Sequence, residues 1–153
     1  MSAVKKAISA YGQTSLDMVV ESASPHQLIV LLFEGAIKAI QLGKIYMQQG
    51  LIAQKGTAIS KAIAIIEDGL RLALDKENGG ELAENLDSLY DYISFELLQA
   101  NINNTPERLD EMLNLLGQLK DAWLSIGFSK VENETPDAVR DEQERSNLSY
   151  GRI

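Results

Sequence analysis

The sequence predicts an all-α fold: an antiparallel four-helix bundle with a short N-terminal capping helix and a polar C-terminal tail. Three observations predict it. Apolar residues recur at steps of three and four through most of the 153 residues. Proline and glycine fall where helices should begin and end. No segment shows the period-two alternation of a half-buried strand.

The first long helix is predicted to open at Ser24-Pro25-His26-Gln27. Ser is a good N-cap, Pro suits the first helical position, and Gln three residues after the cap completes a capping box. Leu28, Leu32, Ala36, Ala39 and Ile40 trace one stripe, which Ile29, Phe33 and Ile37 widen and Ile45 and Tyr46 extend. Gly50 is a plausible stop. The second helix is predicted over about Thr57 to Lys76, with Ile59, Ile63, Ile66, Leu70 and Leu74 on one face. Asn78-Gly79-Gly80 breaks it. The third runs from Glu81 to about Asn103 on Leu82, Leu86, Leu89, Ile93, Leu97 and Ala100; Glu81 and Glu84 suit the positive end of a helix. Thr105-Pro106 opens the fourth, which carries Leu109, Leu113, Leu116, Leu119, Trp123 and Ile126 and is expected to stop at Gly127. Short connections between helices of about 20 residues force neighbours to run antiparallel.

The expected organisation is an N-terminal cap segment over 1–23, the bundle over 24–128 and a polar tail over 129–153, too poor in apolar residues to bury much.

Composition excludes several classes of function. The chain is 45% hydrophobic and 24% charged, the balance of a globular protein rather than a disordered one. Its formal net charge of −8 repels phosphates and argues against nucleic acid and anionic membranes. There is no Cys, so disulfides, thiolate metal sites and Cys nucleophiles are absent. The longest apolar run, Leu28–Phe33, is far short of the roughly 20 residues that span a bilayer, and no signal-peptide pattern follows Lys5 and Lys6. A cytoplasmic location is therefore expected.

Chemistry is sparse. A di-iron bundle needs a Glu-x-x-His motif on two helices. This chain has one His, His26, with Ala23 three residues before it. His26 sits beside a cap and reads as structural. No P-loop is present: Gly43-Lys44 continues into Ile45. The carboxylate pairs Glu67-Asp68 and Glu132/Glu134 read as solvated faces. No enzyme activity and no cofactor are expected.

Two features exceed what a plain bundle needs. Tyr90 and Tyr92 are separated by about 200° around a helix, so both cannot face one core. At least one belongs at a groove or on the surface, where Tyr is enriched at binding sites. Gly35, Gly43, Gly69 and Gly117 lie inside helices, each costing about 1 kcal/mol relative to Ala. They serve either close helix packing or a shallow groove for a partner segment. By pattern, Leu28, Leu32, Ile63, Ile66, Leu86, Leu89, Ile93, Leu116 and Trp123 are core. The second apolar flanks, Ile29, Phe33, Ile37, Ile65, Leu72, Tyr90 and Leu98, are the groove candidates.

Several stretches resemble one family. Ser24-Pro25-His26-Gln27-Leu28-Ile29 and Leu32-Phe33-Glu34-Gly35-Ala36-Ile37 are similar to the first long helix of the flagellar export chaperones called FliS. So are Lys61-Ala62-Ile63, Leu70 to Asp75, Gly80-Glu81-Leu82-Ala83-Glu84-Asn85-Leu86, Leu89-Tyr90-Asp91-Tyr92, Ala100-Asn101 and Asp121-Ala122-Trp123. Ala10-Tyr11 looks like the family's N-terminal Ala-Tyr. The likeness is collinear over about residues 10–126. The sequence departs from it at Phe95 and Glu96, where many members carry two Arg, and at Asn104-Thr105, where Asn-Asp is usual.

The resemblance implies a non-enzymatic bundle in the cytosol that captures the disordered C-terminal segment of flagellin in apolar surface grooves. Capture prevents premature polymerisation, and the loaded complex docks on the cytoplasmic domain of the export-gate protein FlhA. It adds Tyr11, Tyr92 and Asn101 to the candidate contacts. It also implies that the N-terminal segment occupies part of the groove and that Tyr11 swings away on binding. A monomer or weak dimer is expected, with no nucleic acid and no membrane insertion. The alternative is a self-associating structural or signalling bundle with another partner.

Overall fold

The computed structural model describes residues 23–133, with side chains to Ile126. Four helices pack together: α1 (Pro25–Gln48), α2 (Ile52–Ile65), α3 (Gly80–Asn103) and α4 (Pro106–Asn133). Between α2 and α3 the chain takes one π-helical turn, Ile66–Arg71. The α1 helix packs on α2 and α4, and α3 packs on the other flanks of both. The N-terminal cap segment and all of the tail after Asn133 lie outside the described residues.

Local signals explain the element starts. Ser24 Oγ accepts from the Gln27 N–H at 3.2 Å, and Gln27 Oε1 accepts from the Ser24 N–H at 2.9 Å, closing the expected capping box. Pro106 sits at the first position of α4, and the Thr105 carbonyl accepts from Arg108 and Leu109. Asn104 ends α3 with φ 51°, the left-handed conformation that Asn tolerates.

Three boundaries differ from the sequence reading. The α2 helix begins at Ile52, five residues before the expected Thr57, because the turn at Gln49–Leu51 is tight and Leu51 caps without any side-chain bond. It also changes to π geometry after Ile65 rather than continuing to Lys76. The α4 helix runs through Gly127 to Asn133. A single Gly inside a helix costs only about 1 kcal/mol and does not by itself end it.

Antiparallel order is visible in the cross-helix pairs. At one end, Lys44 on α1 pairs with Asp110 on α4 at 2.8 Å, and Arg108 on α4 pairs with Glu96 on α3 at 3.0 Å. At the other, His26 and Trp123 stack with ring centroids 5.4 Å apart. Each ring also donates to the other residue's backbone: His26 Nε2 to the Trp123 carbonyl at 2.7 Å, and Trp123 Nε1 to the His26 carbonyl at 3.3 Å. His26 therefore ties the start of α1 to the far part of α4, a structural role as expected.

The core is apolar and continuous. Leu28, Leu32, Ala36 and Ile40 of α1 meet Ile59, Ala62 and Ile66, Ile93 and Leu97 of α3, and Leu109, Met112 and Leu116 of α4. Full burial of each large side chain contributes about 1.5–3 kcal/mol. Ile63, Leu86, Leu89 and Trp123, also expected in the core, pack against its edge half-buried. Gly43 settles one glycine question: a Cβ there would meet Ile59 Cγ1 at 2.8 Å, so this Gly permits close approach of α1 and α2. Gly117 faces open space instead.

Candidate binding surface

The α3 helix carries two apolar lines. One is the core line of Tyr90, Ile93, Leu97 and Ala100, all buried. The other is Tyr92, Phe95, Leu98 and Ile102, at steps of three, three and four. At about 100° per residue these lines lie on nearly opposite sides of the helix. The outer four are 47%, 55%, 45% and 63% exposed. A helix needing one core face has no structural use for the second, and its exposed apolar area makes this face the candidate interaction surface.

The expected split of the tyrosines is observed. Tyr90 is buried and its ring meets Phe33 at 6.4 Å between centroids, whereas Tyr92 stands outside. Burial pushes the Tyr90 hydroxyl up to about 12.

The candidate residues named from the sequence separate into five groups. Tyr92, Leu98 and Leu72 are exposed, Leu72 just past the π-helical turn. Asn101 is partly exposed, and its carbonyl accepts from Lys55. Ile29 and Ile37 are half-buried and packed against the core. Phe33, Ile65 and Tyr90 are corrections to the flank reading: they are core side chains, 2%, 0% and 4% exposed, and form no part of an outer groove in this arrangement. The core-facing arc of α1, α2 and α3 is wider than one stripe because each packs on two neighbours, so the flanks are buried with it. Tyr11 lies outside the described residues. Phe95 and Ile102 belong to the same exposed line but are not among the sequence candidates, although their spacing from Tyr92 and Leu98 on the side away from the core points to them.

The surroundings of this surface are rigidly held. Lys55, at the start of α2, is buried; its Nζ donates to the Asn101 carbonyl at 2.8 Å and to Asn104 Oδ1 at 2.7 Å. It thus caps the end of α3 from a neighbouring helix. At the other end of α3, Arg71 of the π-helical turn binds Glu67, Asp87 and Asp91 at 3.0, 2.7 and 3.1 Å, and Ser94 donates to Glu67 at 2.7 Å. The hydrogen bond from Arg71 holds the Asp87 carboxyl below the usual carboxylate range. Glu96 pairs with Arg108 at 3.0 Å. The site offers apolar contact and a few amide groups. Among the described residues no group of His, Asp and Glu could hold a metal ion.

The model of the family described as flagellar protein FliS matches residues 7–130 of the chain. The chain belongs to this family. Relatives agree along the same region. The flagellar secretion chaperone FliS of Salmonella typhimurium is 48% identical over 119 residues, 78% of this chain and 88% of that one. FliS of Escherichia coli is 42% identical over 118 residues, 77% and 87% of the two chains. FliS of Bacillus subtilis is 31% identical over 121 residues, 79% and 86%. The FliS match takes in Tyr11 and ends inside α4, so residues 131–153 extend beyond it.

Proposed function

We propose that this flagellar secretion chaperone of the FliS family binds flagellin for export by holding its C-terminal segment along the outer face of α3. The observation that carries the placement is the exposed line Tyr92, Phe95, Leu98 and Ile102, opposite the buried line of the same helix. An amphipathic client segment laid against such a line buries its own apolar face there, which is helix-in-groove recognition. A client that is disordered until bound spends part of the contact free energy on ordering, so binding is firm yet reversible at the export machine. Asn101 offers a polar contact at the end of the line, Leu72 and the half-buried Ile29 and Ile37 extend the apolar border, and Tyr11 covers part of the groove until the client arrives. Phe33, Ile65 and Tyr90 support the surface from within. No cofactor takes part. The chaperone works in the cytosol as a monomer or weak dimer and passes its loaded complex to the cytoplasmic domain of the export-gate protein FlhA. Among the described residues no helix is long and apolar enough to cross a membrane.

Calorimetric titration with the C-terminal segment of the cognate flagellin tests this. Expected are one-to-one binding, a negative heat-capacity change and little salt dependence. Phe95→Ser and Leu98→Ser should each weaken binding by about tenfold or more. Both residues are exposed, so the fold should survive. Binding that neither substitution alters moves the client to another face, and no binding at all removes this segment as the client. Deleting residues 1–12 should raise affinity; unchanged or weaker affinity counts against a covering role for Tyr11.

A further inference from the structure

Charge is segregated along this chain. Residues 35–66 carry four lysines and no carboxylate, whereas residues 67–91 carry eight carboxylates against one Arg and one Lys. The first stretch is most of α1 and all of α2; the second is the π-helical turn, the loop after it and the first half of α3. The turn joining α1 to α2 lies at one end of the bundle, where Lys55 meets the end of α3, and the acidic stretch gathers around Arg71 toward the other end.

The α1–α2 end is also apolar on its surface. Leu42, Ile45, Leu51 and Ile52 are all exposed, Ile52 at 73%. On α1, Lys38, Leu42 and Ile45 follow at steps of four and three, so they form one exposed line. Lys38 has no ion pair among the described residues. The neighbouring carboxylates are engaged elsewhere: Glu34, one turn before Lys38, pairs with Lys120 at 3.7 Å, and Asp110 holds Lys44. An apolar line with an unpaired cation and no carboxylate over 32 residues selects the sign of what covers it.

We propose that this α1–α2 end is a second docking surface, distinct from the outer face of α3, and that its occupant is an acidic amphipathic helix of a protein partner. Apolar side chains of that helix cover Leu42, Ile45 and Ile52, and its carboxylates face Lys38. A basic helix meets Lys38 as a like charge here and is drawn to the opposite, acidic end. The exposed line Lys38, Leu42 and Ile45 is separate from the half-buried Ile29 and Ile37 that border the flagellin surface, so an acidic helix and the flagellin segment bind together. This inference does not depend on where flagellin sits.

The test uses the full chain and two synthetic peptides of about 18 residues, long enough to form a helix on a surface. Both carry Leu at helical spacing; one has Glu at the remaining positions and the other Lys. Fluorescence anisotropy should give saturable binding of the Glu peptide, about tenfold or more tighter than the Lys peptide. Ile45→Ser and Lys38→Glu should each weaken the Glu peptide by about tenfold and leave flagellin affinity within about twofold. Saturating flagellin segment should not displace it. No saturable binding, no preference for Glu over Lys, or insensitivity to both substitutions overturns the proposal. Displacement by the flagellin segment overturns it too, by making this end part of the path of flagellin. Failure of flagellin itself to bind would be read in its own titration and leaves the peptide results standing.

Discussion

Lys55 is 6% exposed, and the two oxygens that hold its ammonium, the Asn101 carbonyl and Asn104 Oδ1, are both neutral. What compensates its burial is the end of α3, where unsatisfied carbonyls carry partial negative charge. Lys55→Met keeps the stem and removes those donors, so the end of α3 loses two charge-assisted hydrogen bonds. We expect a loss of about 1–3 kcal/mol in urea unfolding and faster amide exchange in the last turn of α3. Unchanged exchange there would show that the cap does not depend on Lys55. Tyr90 makes a different point at this scale. Its hydroxyl is held neutral by burial, with the pKa pushed up to about 12. Above about pH 10 the unfolded chain releases this proton while the folded chain keeps it. The stability tied to Tyr90 is thus whole below that pH and lost as pH rises through the folded value. Tyr90→Phe should match the native protein at neutral pH and lose less stability over that alkaline window. Equal alkaline losses in both would mean that Tyr90 does not set the slope.

Helices were legible where side chains announce them. Ser24-Pro25 and Pro106 mark starts by satisfying or dispensing with the free N–H groups of a first turn, and both were read correctly. Leu51 announces nothing, and Gly56 imitates a break, so the true start of α2 was hidden. The π-helical turn inserts a geometry that a 3.6-residue period does not encode. The candidate surface was legible by half for a related reason. Periodicity orders residues around a helix but does not give the width of the arc that its neighbours bury. Tyr92 and Leu98 lie well outside that arc; Phe33, Ile65 and Tyr90 lie within it. Glycine spacing carries the same ambiguity, and the structure resolves it for two positions. Gly43→Ala places a Cβ 2.8 Å from Ile59 Cγ1, on a branched side chain with little freedom. Overpacking costs about 1–3 kcal/mol, more than the roughly 1 kcal/mol that helix propensity returns. Gly117→Ala meets nothing within 4 Å and should gain up to about 1 kcal/mol. Thermal melts of the two variants shifting in opposite directions would check this; a stabilised Gly43→Ala would mean that α1 and α2 can move apart at little cost.

Across the whole molecule, folding brings the π-helical turn and α3 together at the acidic stretch, where Arg71 binds three carboxylates and Lys76 adds one contact to Asp87 at 3.2 Å. The carboxylates that Arg71 binds lie before it on its own segment and on α3. Removing it as Arg71→Met leaves Glu67, Asp87 and Asp91 facing one another without it. In the native protein Asp87 titrates below its usual range because Arg71 donates to it. A lowered carboxylate contributes stability above the ordinary carboxylate range and loses it as pH falls through the folded value. In Arg71→Met the sign reverses: the carboxylates now repel, and protonation relieves them. The stability deficit of the variant should therefore be greatest near about pH 7 and shrink toward about pH 3, and added salt should recover part of it at neutral pH. Urea midpoints across that range decide the matter. A deficit constant in pH and salt would assign the role of Arg71 to the packing of its stem, and the acidic end would then hold together without its charge.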